Sequence, residues 1–203
     1  MASADAKRAA RGGGSVRIIS GEWRSRRLQV PDIEGLRPSG DRIRETLFSW
    51  LGTEVVGARC LDLFAGTGAL GFEAASRGAG EVVMLERSAV AVAGLRASAD
   101  TLQATQVEII QADALLWLQG EKSRFDVVFL DPPFGEDLLQ KVYRLLDAGW
   151  LAPRGRVYLE WPRGEELRLP AAWVMERTKQ AGRVQFALAA PKTQDSAQHS
   201  PKE

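Results

Sequence analysis

From residue 59 onward, short apolar runs alternate with longer amphipathic stretches. Residues 60–64, 82–85, 107–110, 125–130 and 157–159 are apolar enough to be strands buried on both faces. Between them, residues 69–77, 89–102 and 138–146 have the length and spacing of crossover helices, and Gly78 is a natural helix stop. This alternation predicts a doubly wound α/β sheet. The pattern then changes, because residues 173–178 and 184–189 are two strand-like runs separated only by a turn around Ala181 and Gly182. They are expected to pair antiparallel and close a mostly parallel seven-stranded sheet. Upstream, residues 15–30 read as a short hairpin turning at Ser20 and Gly21. A helix follows, with Ser39 as the expected N-cap, Ile43, Leu47, Trp50 and Leu51 on one face, and Arg42 and Glu45 opposite. Residues 1–14 and 191–203 lack apolar periodicity and are expected to be disordered.

Composition narrows the class. Of the 203 residues 45% are hydrophobic, which suits one buried core. No apolar run approaches the roughly 20 residues that span a bilayer, and the basic start does not resemble a secretory signal, so a soluble cytoplasmic protein is expected. One cysteine and one histidine give no metal cluster, so no metal is expected. Net charge is +1, yet ten Lys and Arg lie in the first 44 residues against five acids. That asymmetry suits a polyanionic partner, and equally a solvated arm.

Asp62-Leu63-Phe64-Ala65-Gly66-Thr67-Gly68-Ala69-Leu70-Gly71 runs from a strand through a glycine turn into a helix. Gly66 and Gly68 let the backbone turn tightly against a ligand, and Gly71 lets the helix pack on the sheet. Glu86 ends the next strand, where a carboxylate can accept from both hydroxyls of a ribose. These features fit an adenosine cofactor of either the nicotinamide or the S-adenosylmethionine type. Asp62 favours the second, because a carboxylate there answers an ammonium and opposes a pyrophosphate. Asp113, followed by Ala114, is placed either to accept from an adenine amino group or to cap the helix that follows.

Asp131-Pro132-Pro133-Phe134 directly follows the strand at 125–130, at the carboxyl end where open α/β sheets bind ligands. An exocyclic amino nitrogen is a weak nucleophile because its lone pair is delocalised into the ring. Acceptors near its two N–H groups, here Asp131 and the Pro132 carbonyl, favour the pyramidal nitrogen. Phe134 can stack on the base and align it, so positioning lowers the barrier. Cys60 starts a strand and is expected to be core.

Arg17-Ile18-Ile19-Ser20-Gly21-Glu22-Trp23-Arg24, Leu36-Arg37-Pro38-Ser39-Gly40-Asp41-Arg42-Ile43-Arg44-Glu45-Thr46-Leu47-Phe48, the glycine motif and Asp-Pro-Pro-Phe together resemble the RsmD family, bacterial 16S ribosomal RNA guanine-N2 methyltransferases. The resemblance covers about residues 16–188, with departures at Ser20 and Gly40 and a longer basic start. It implies a class I S-adenosylmethionine methyltransferase (Rossmann-like) fold in one domain, residues 15–190, comprising an N-terminal RNA-binding hairpin and helix at 15–51 and a catalytic core at 55–190. It implies S-adenosyl-L-methionine at Asp62, Phe64, Gly66, Gly68, Glu86, Asp113 and Ala114, and the methyl acceptor at Asp131, Pro132, Pro133 and Phe134. The implied partner is 16S rRNA in an assembled or nearly assembled 30S subunit, met by a monomer through Arg17, Trp23, Arg24, Arg26, Arg27, Arg37 and Arg42. Trp23 has a second reading, packing the hairpin onto the domain. Rival functions are a nicotinamide oxidoreductase, an adenine or small-molecule amino methyltransferase, and a non-catalytic RNA-binding assembly factor.

Overall fold

The computed structural model describes residues 14–29, 40–132 and 138–192. Strands β3 (Arg59–Asp62), β4 (Glu81–Glu86), β5 (Val107–Gln111), β6 (Phe125–Leu130), β7 (Leu151–Pro162), β8 (Trp173–Ala181) and β9 (Val184–Pro191) form one sheet in the order β5-β4-β3-β6-β7-β9-β8. The first five strands are parallel; β9 runs antiparallel to both β7 and β8. The strand order reverses between β3 and β6, which opens a crevice at their carboxyl ends. The terminal hairpin is present as expected, and Gly182 turns it at φ 59°. β7 is much longer than its apolar centre suggested, because backbone pairing extends it at both ends, with β6 from Leu151 and with β9 as far as Pro162.

Helices α1 (Asp41–Leu51), α2 (Ala69–Ser76) and α3 (Ala89–Leu102) cover one face of the sheet, and α4 (Ala114–Trp117) and α5 (Leu138–Asp147) the other. On α1, Leu47, Phe48 and Leu51 are buried, Phe48 meets Phe129 at 6.0 Å between ring centroids, and Trp50 stacks on Phe186 at 5.3 Å. Ser39 is not its N-cap: that position is Gly40, which has no side chain to offer, while Asp41 supplies the negative charge of the first turn. α5 buries Val142, Tyr143 and Leu146. Cys60 is fully buried, and its thiol is pushed up to about 12 by that burial, so it is core and no nucleophile.

The N-terminal hairpin, β1 (Ser15–Arg17) and β2 (Arg27–Gln29), is not closed by a tight turn at Ser20-Gly21. Its long loop instead docks on α2. The backbone N–H groups of Ile19 and Ser20 donate to the Glu73 carboxylate at 2.7 and 3.1 Å. Ser76 donates its hydroxyl to the Ser20 carbonyl (2.6 Å) and accepts from the Trp23 N–H (3.0 Å), while the Glu22 N–H donates to the Ser76 carbonyl at 2.8 Å. Gly21 is required by this contact, since a Cβ there would lie 1.8 Å from the Ser76 carbonyl oxygen. Trp23 is 7% exposed and packs in the core beneath the loop, so its packing reading holds and its ring is no platform for a base. Arg44, which lies within the segment expected to meet RNA, is 1% exposed and bonded to Glu73, Asp41 and the Arg17 carbonyl.

Gly21 and Gly164 both have positive φ, 85° and 91°, but only Gly21 faces a neighbour. Gly164→Ala should therefore cost about 1–2 kcal/mol of backbone strain. Gly21→Ala should cost about 2–4 kcal/mol, because the loop must also leave α2. Equal losses in thermal unfolding would mean that the docking adds nothing.

Candidate functional site

Three carboxylates stand at the carboxyl ends of neighbouring strands: Asp62 on β3, Glu86 on β4, and Asp131 just after β6. Asp62 is 1% exposed. It accepts from the Gly71 N–H at 3.2 Å and from the Phe64 backbone, so it closes the glycine loop between β3 and α2. Gly68 caps α2 from the left-handed region at φ 76°, and a Cβ on Gly71 would meet Met84 at 2.4 Å. Burial, with a smaller push from the Glu86 charge, raises the Asp62 carboxyl to about 7. No cation pairs with it among the described residues.

Glu86 is half-buried, and its two oxygens accept from different backbone segments, Gly66 N–H at 3.0 Å and Ser88 N–H at 2.7 Å. It therefore joins the glycine loop to the turn that starts α3. A carboxylate oxygen has two lone pairs, so each retains capacity for a further donor. Asp113 caps α4: its Oδ1 accepts from the Leu115 and Leu116 N–H groups at 2.9 and 3.1 Å. The capping reading is thus what the geometry shows, and Oδ2 carries no bond among the described residues. Phe64 is half-buried in the loop, and Ala114 is buried at the start of α4.

Asp131 is half-buried and Pro132 buried; Pro133 and Phe134 lie outside the described residues. The side chains of Tyr158 and Glu160, two apart on β7, share the sheet face that α1 covers. The Tyr158 hydroxyl donates to Glu160 Oε1 at 2.5 Å. Burial, the Glu160 charge and then the Asp131 charge hold the Tyr158 hydroxyl well above its ordinary value. The sequence pattern alone assigns no role to Tyr158 or Glu160. It missed Glu73 altogether, because a glutamate inside a helix looks like surface until the partner that covers it is known.

The expected RNA-facing residues separate by position. Arg24 and Arg26 are exposed in the docked loop, beside Ser76 and Thr101, at the ends of α2 and α3 remote from the glycine turn. Arg26 donates to the Thr101 carbonyl at 3.3 Å, and Arg27 to the Ser15 hydroxyl at 3.2 Å. Arg17 and Arg42 lie by the first turn of α1, and Arg17 pairs with Asp41 at 3.1 Å. Because α1 ends near the start of β3, its first turn points toward the carboxyl end of the sheet. Arg37 lies outside the described residues. A groove among Glu54, Asp126, Arg156 and Glu176 lies at the opposite, amino end of β3 and β6; Arg156 spans it, bonded to Glu54 and Glu176.

The Conserved hypothetical protein 95 family matches residues 16–190. Ribosomal RNA small subunit methyltransferase D of Escherichia coli K12 is 43% identical over 179 residues, covering 87% of this chain and 90% of its own. The protein of the same name from Haemophilus influenzae is 42% identical over 180 residues, covering 86% and 93%. Among solved structures, yhhF of Escherichia coli superposes with a TM-score of 0.83 at 40% identity, over 89% of this chain and 100% of that one. The Thermus thermophilus 16S rRNA N2 methyltransferase RsmC, solved with AdoMet and guanosine, gives 0.67 at 25% identity, over 89% and 50%.

The sheet order with its antiparallel end, the acid-lined glycine crevice and these neighbours define an S-adenosylmethionine-dependent methyltransferase. Within that class, the chain belongs to the RsmD family, the ribosomal RNA small subunit methyltransferases D. The nicotinamide reading is thereby overturned.

A carboxyl raised from 3.8 to about 7 binds a proton in the folded chain that the unfolded chain releases. Asp62 therefore favours folding when protonated, and that contribution is lost as pH rises from about 4 through about 7. Asp62→Asn, which keeps an acceptor for Gly71, should raise the melting temperature at pH 8, and the gain should shrink as pH falls and vanish below about pH 4. A pH-independent difference would show that Asp62 is not the titrating group.

Proposed function

We propose that this chain transfers a methyl group to the exocyclic N2 of one guanine in 16S rRNA, in an assembled or nearly assembled 30S subunit. The observation that carries the reading is Asp131-Pro132 at the carboxyl end of β6, beside Asp62 on β3, at the point where strand order reverses. The names of the Escherichia coli and Haemophilus influenzae relatives support the small-subunit substrate. The guanosine complex of RsmC supports the base.

The residues present fit the cofactor. A buried carboxylate without a cation, Asp62, suits the ammonium of a methionine moiety. Glu86 retains acceptor capacity for the ribose hydroxyls, and Asp113 Oδ2 for the adenine amino group, with Ala114 beneath and Phe64 at the side. Gly66 and Gly68 keep the loop low enough for close approach. When bound, S-adenosyl-L-methionine supplies an electrophilic methyl on a sulfonium. Asp131 and the Pro132 carbonyl accept from the amino N–H groups, which draws the nitrogen toward the pyramidal form that attacks. Phe134 stacks on the base, and Pro133, like it outside the described residues, completes the acceptor motif. Arg17 and Arg42 hold RNA near the crevice, Arg37 is a further RNA contact outside the described residues, and Arg24, Arg26 and Arg27 contact phosphates farther out.

Labelled methyl should pass to 30S subunits that lack the modification and be recovered as N2-methylguanosine. Label recovered on adenine, or in no nucleoside, would overturn the reading. Asp131→Ala should lower turnover on the order of 100-fold or more while cofactor binding stays nearly intact. Because the ammonium requires ionised Asp62, cofactor affinity should fall as pH drops below about 7, approaching tenfold per pH unit, and Asp62→Asn should weaken binding and flatten that profile. Isothermal titration at pH 6 and pH 8 checks both.

A further inference from the structure

The sequence places all the expected RNA contacts at the amino-terminal side, yet two of them, Arg24 and Arg26, sit at the end of the domain remote from the crevice. A second basic surface lies at the crevice end. β7 runs parallel to β6 with Leu159 opposite Leu130, so its last residue, Pro162, lies past the level of Asp131 at the carboxyl end, and Pro162 pairs with Val184 at the start of β9. The β8–β9 turn therefore stands on the same edge of the sheet as Asp62, Glu86 and Asp131. Arg163, Lys179 and Arg183 are exposed there.

Their arrangement is built by the fold. The Arg163 N–H donates to the Arg183 carbonyl at 2.8 Å, which fixes the two arginines side by side. With the Gln180 amide turned so that its oxygen faces Arg163, Nε and Nη1 each lie 3.0 Å from it, so the guanidinium is oriented by a neutral acceptor. No carboxylate lies within ion-pair distance of the three cations among the described residues. Two strand-borne arginines toward the other end are paired instead, Arg59 with Glu81 and Arg156 with Glu176, both at 2.8 Å. Of the acids nearest in sequence, Glu160 is buried and accepts from Tyr158, Glu176 pairs with Arg156 at 2.8 Å, and Glu165 and Glu166 follow in the next loop, where Glu166 meets Arg168 at 3.5 Å.

We propose that Arg163, Lys179 and Arg183 form a second phosphate-binding rim, which grips the substrate RNA at the carboxyl-end edge of the sheet, beyond β7 from Asp131. Adjacent strands are about 4.8 Å apart, so the rim stands roughly 10–15 Å from the strand that carries Asp131. That is the territory of nucleotides flanking a base turned out into the crevice. Unpaired cations held at the rim lose little on meeting phosphates and release counterions on doing so. The inference rests on the ribosomal RNA substrate proposed above.

The test compares the full-length chain with an Arg163→Gln/Lys179→Gln/Arg183→Gln variant. A control, Arg124→Gln/Arg154→Gln, removes exposed cations at the amino end of β6 and β7. Binding to 30S subunits is measured over a potassium chloride series, alongside cofactor affinity and turnover at saturating subunit. The triple variant should bind on the order of tenfold more weakly, with its log–log salt slope flatter by about 2, as for three lost single-strand phosphate contacts. Its cofactor affinity and saturated turnover should match the parent, and the control should keep the parent's slope. An unchanged slope in the triple variant, or equal flattening in the control, overturns the rim while leaving the methyltransferase reading intact. A parent chain with no affinity for subunits overturns both.

Discussion

The carboxylate of Glu73 is the interaction on which the remaining structure depends. It has no solvent exposure and accepts from four donors: the Ile19 and Ser20 N–H groups, Arg44 and Arg77. Burying a carboxylate is expensive, and it is tolerated only when charge and lone pairs are satisfied together. Removing the carboxylate would leave all four donors without this acceptor. The hairpin loop, α1 and α2 therefore hold their positions as a unit. Glu73 also lies two residues after Gly71, whose N–H is bound to Asp62, so the helix that seats the amino-terminal segment is the one that closes the glycine loop.

Asp62 shows the opposite balance. It too is buried, but its partners are backbone N–H groups and no cation meets it among the described residues, so its ionised form is disfavoured. Stability is given up at a position where a cationic ligand would restore it. Glu86 and Asp113 stand between these extremes. Each already orders a backbone segment, and each retains an oxygen lone pair directed to further donors. The crevice is thus held open by the same carboxylates that are suited to bind in it, which reduces the rearrangement that binding requires.

The motifs that gave the amino-terminal resemblance turn out to serve docking as much as recognition. Ser20, Gly21 and Trp23 fit the loop to α2, and Arg44 fills the buried space between α1 and Glu73. Residues that read as a basic RNA-binding stretch are divided by the fold into buried partners, exposed cations near the crevice and exposed cations far from it.

The order and type of nearly every element in the core were legible in the chain, since strands buried on both faces are continuous apolar runs and their crossovers keep a helical period. So were the glycine loop, Asp62, Glu86 and Asp131, because each immediately follows a strand and a parallel sheet places such positions on one edge. What the sequence could not decide was anything set by a partner distant along the chain. The N-cap at Gly40, the full length of β7, the burial of Trp23, Glu73 and Arg44, and the Tyr158–Glu160 pair all depend on which surface folds over them. The rim of Arg163, Lys179 and Arg183 belongs to the same group, because charge composition counts cations but only the antiparallel β8–β9 hairpin carries these three to the carboxyl-end edge of the sheet. Local periodicity fixes what an element is; side-chain burial and charge pairing are fixed by what packs against it, and that is decided in tertiary structure alone.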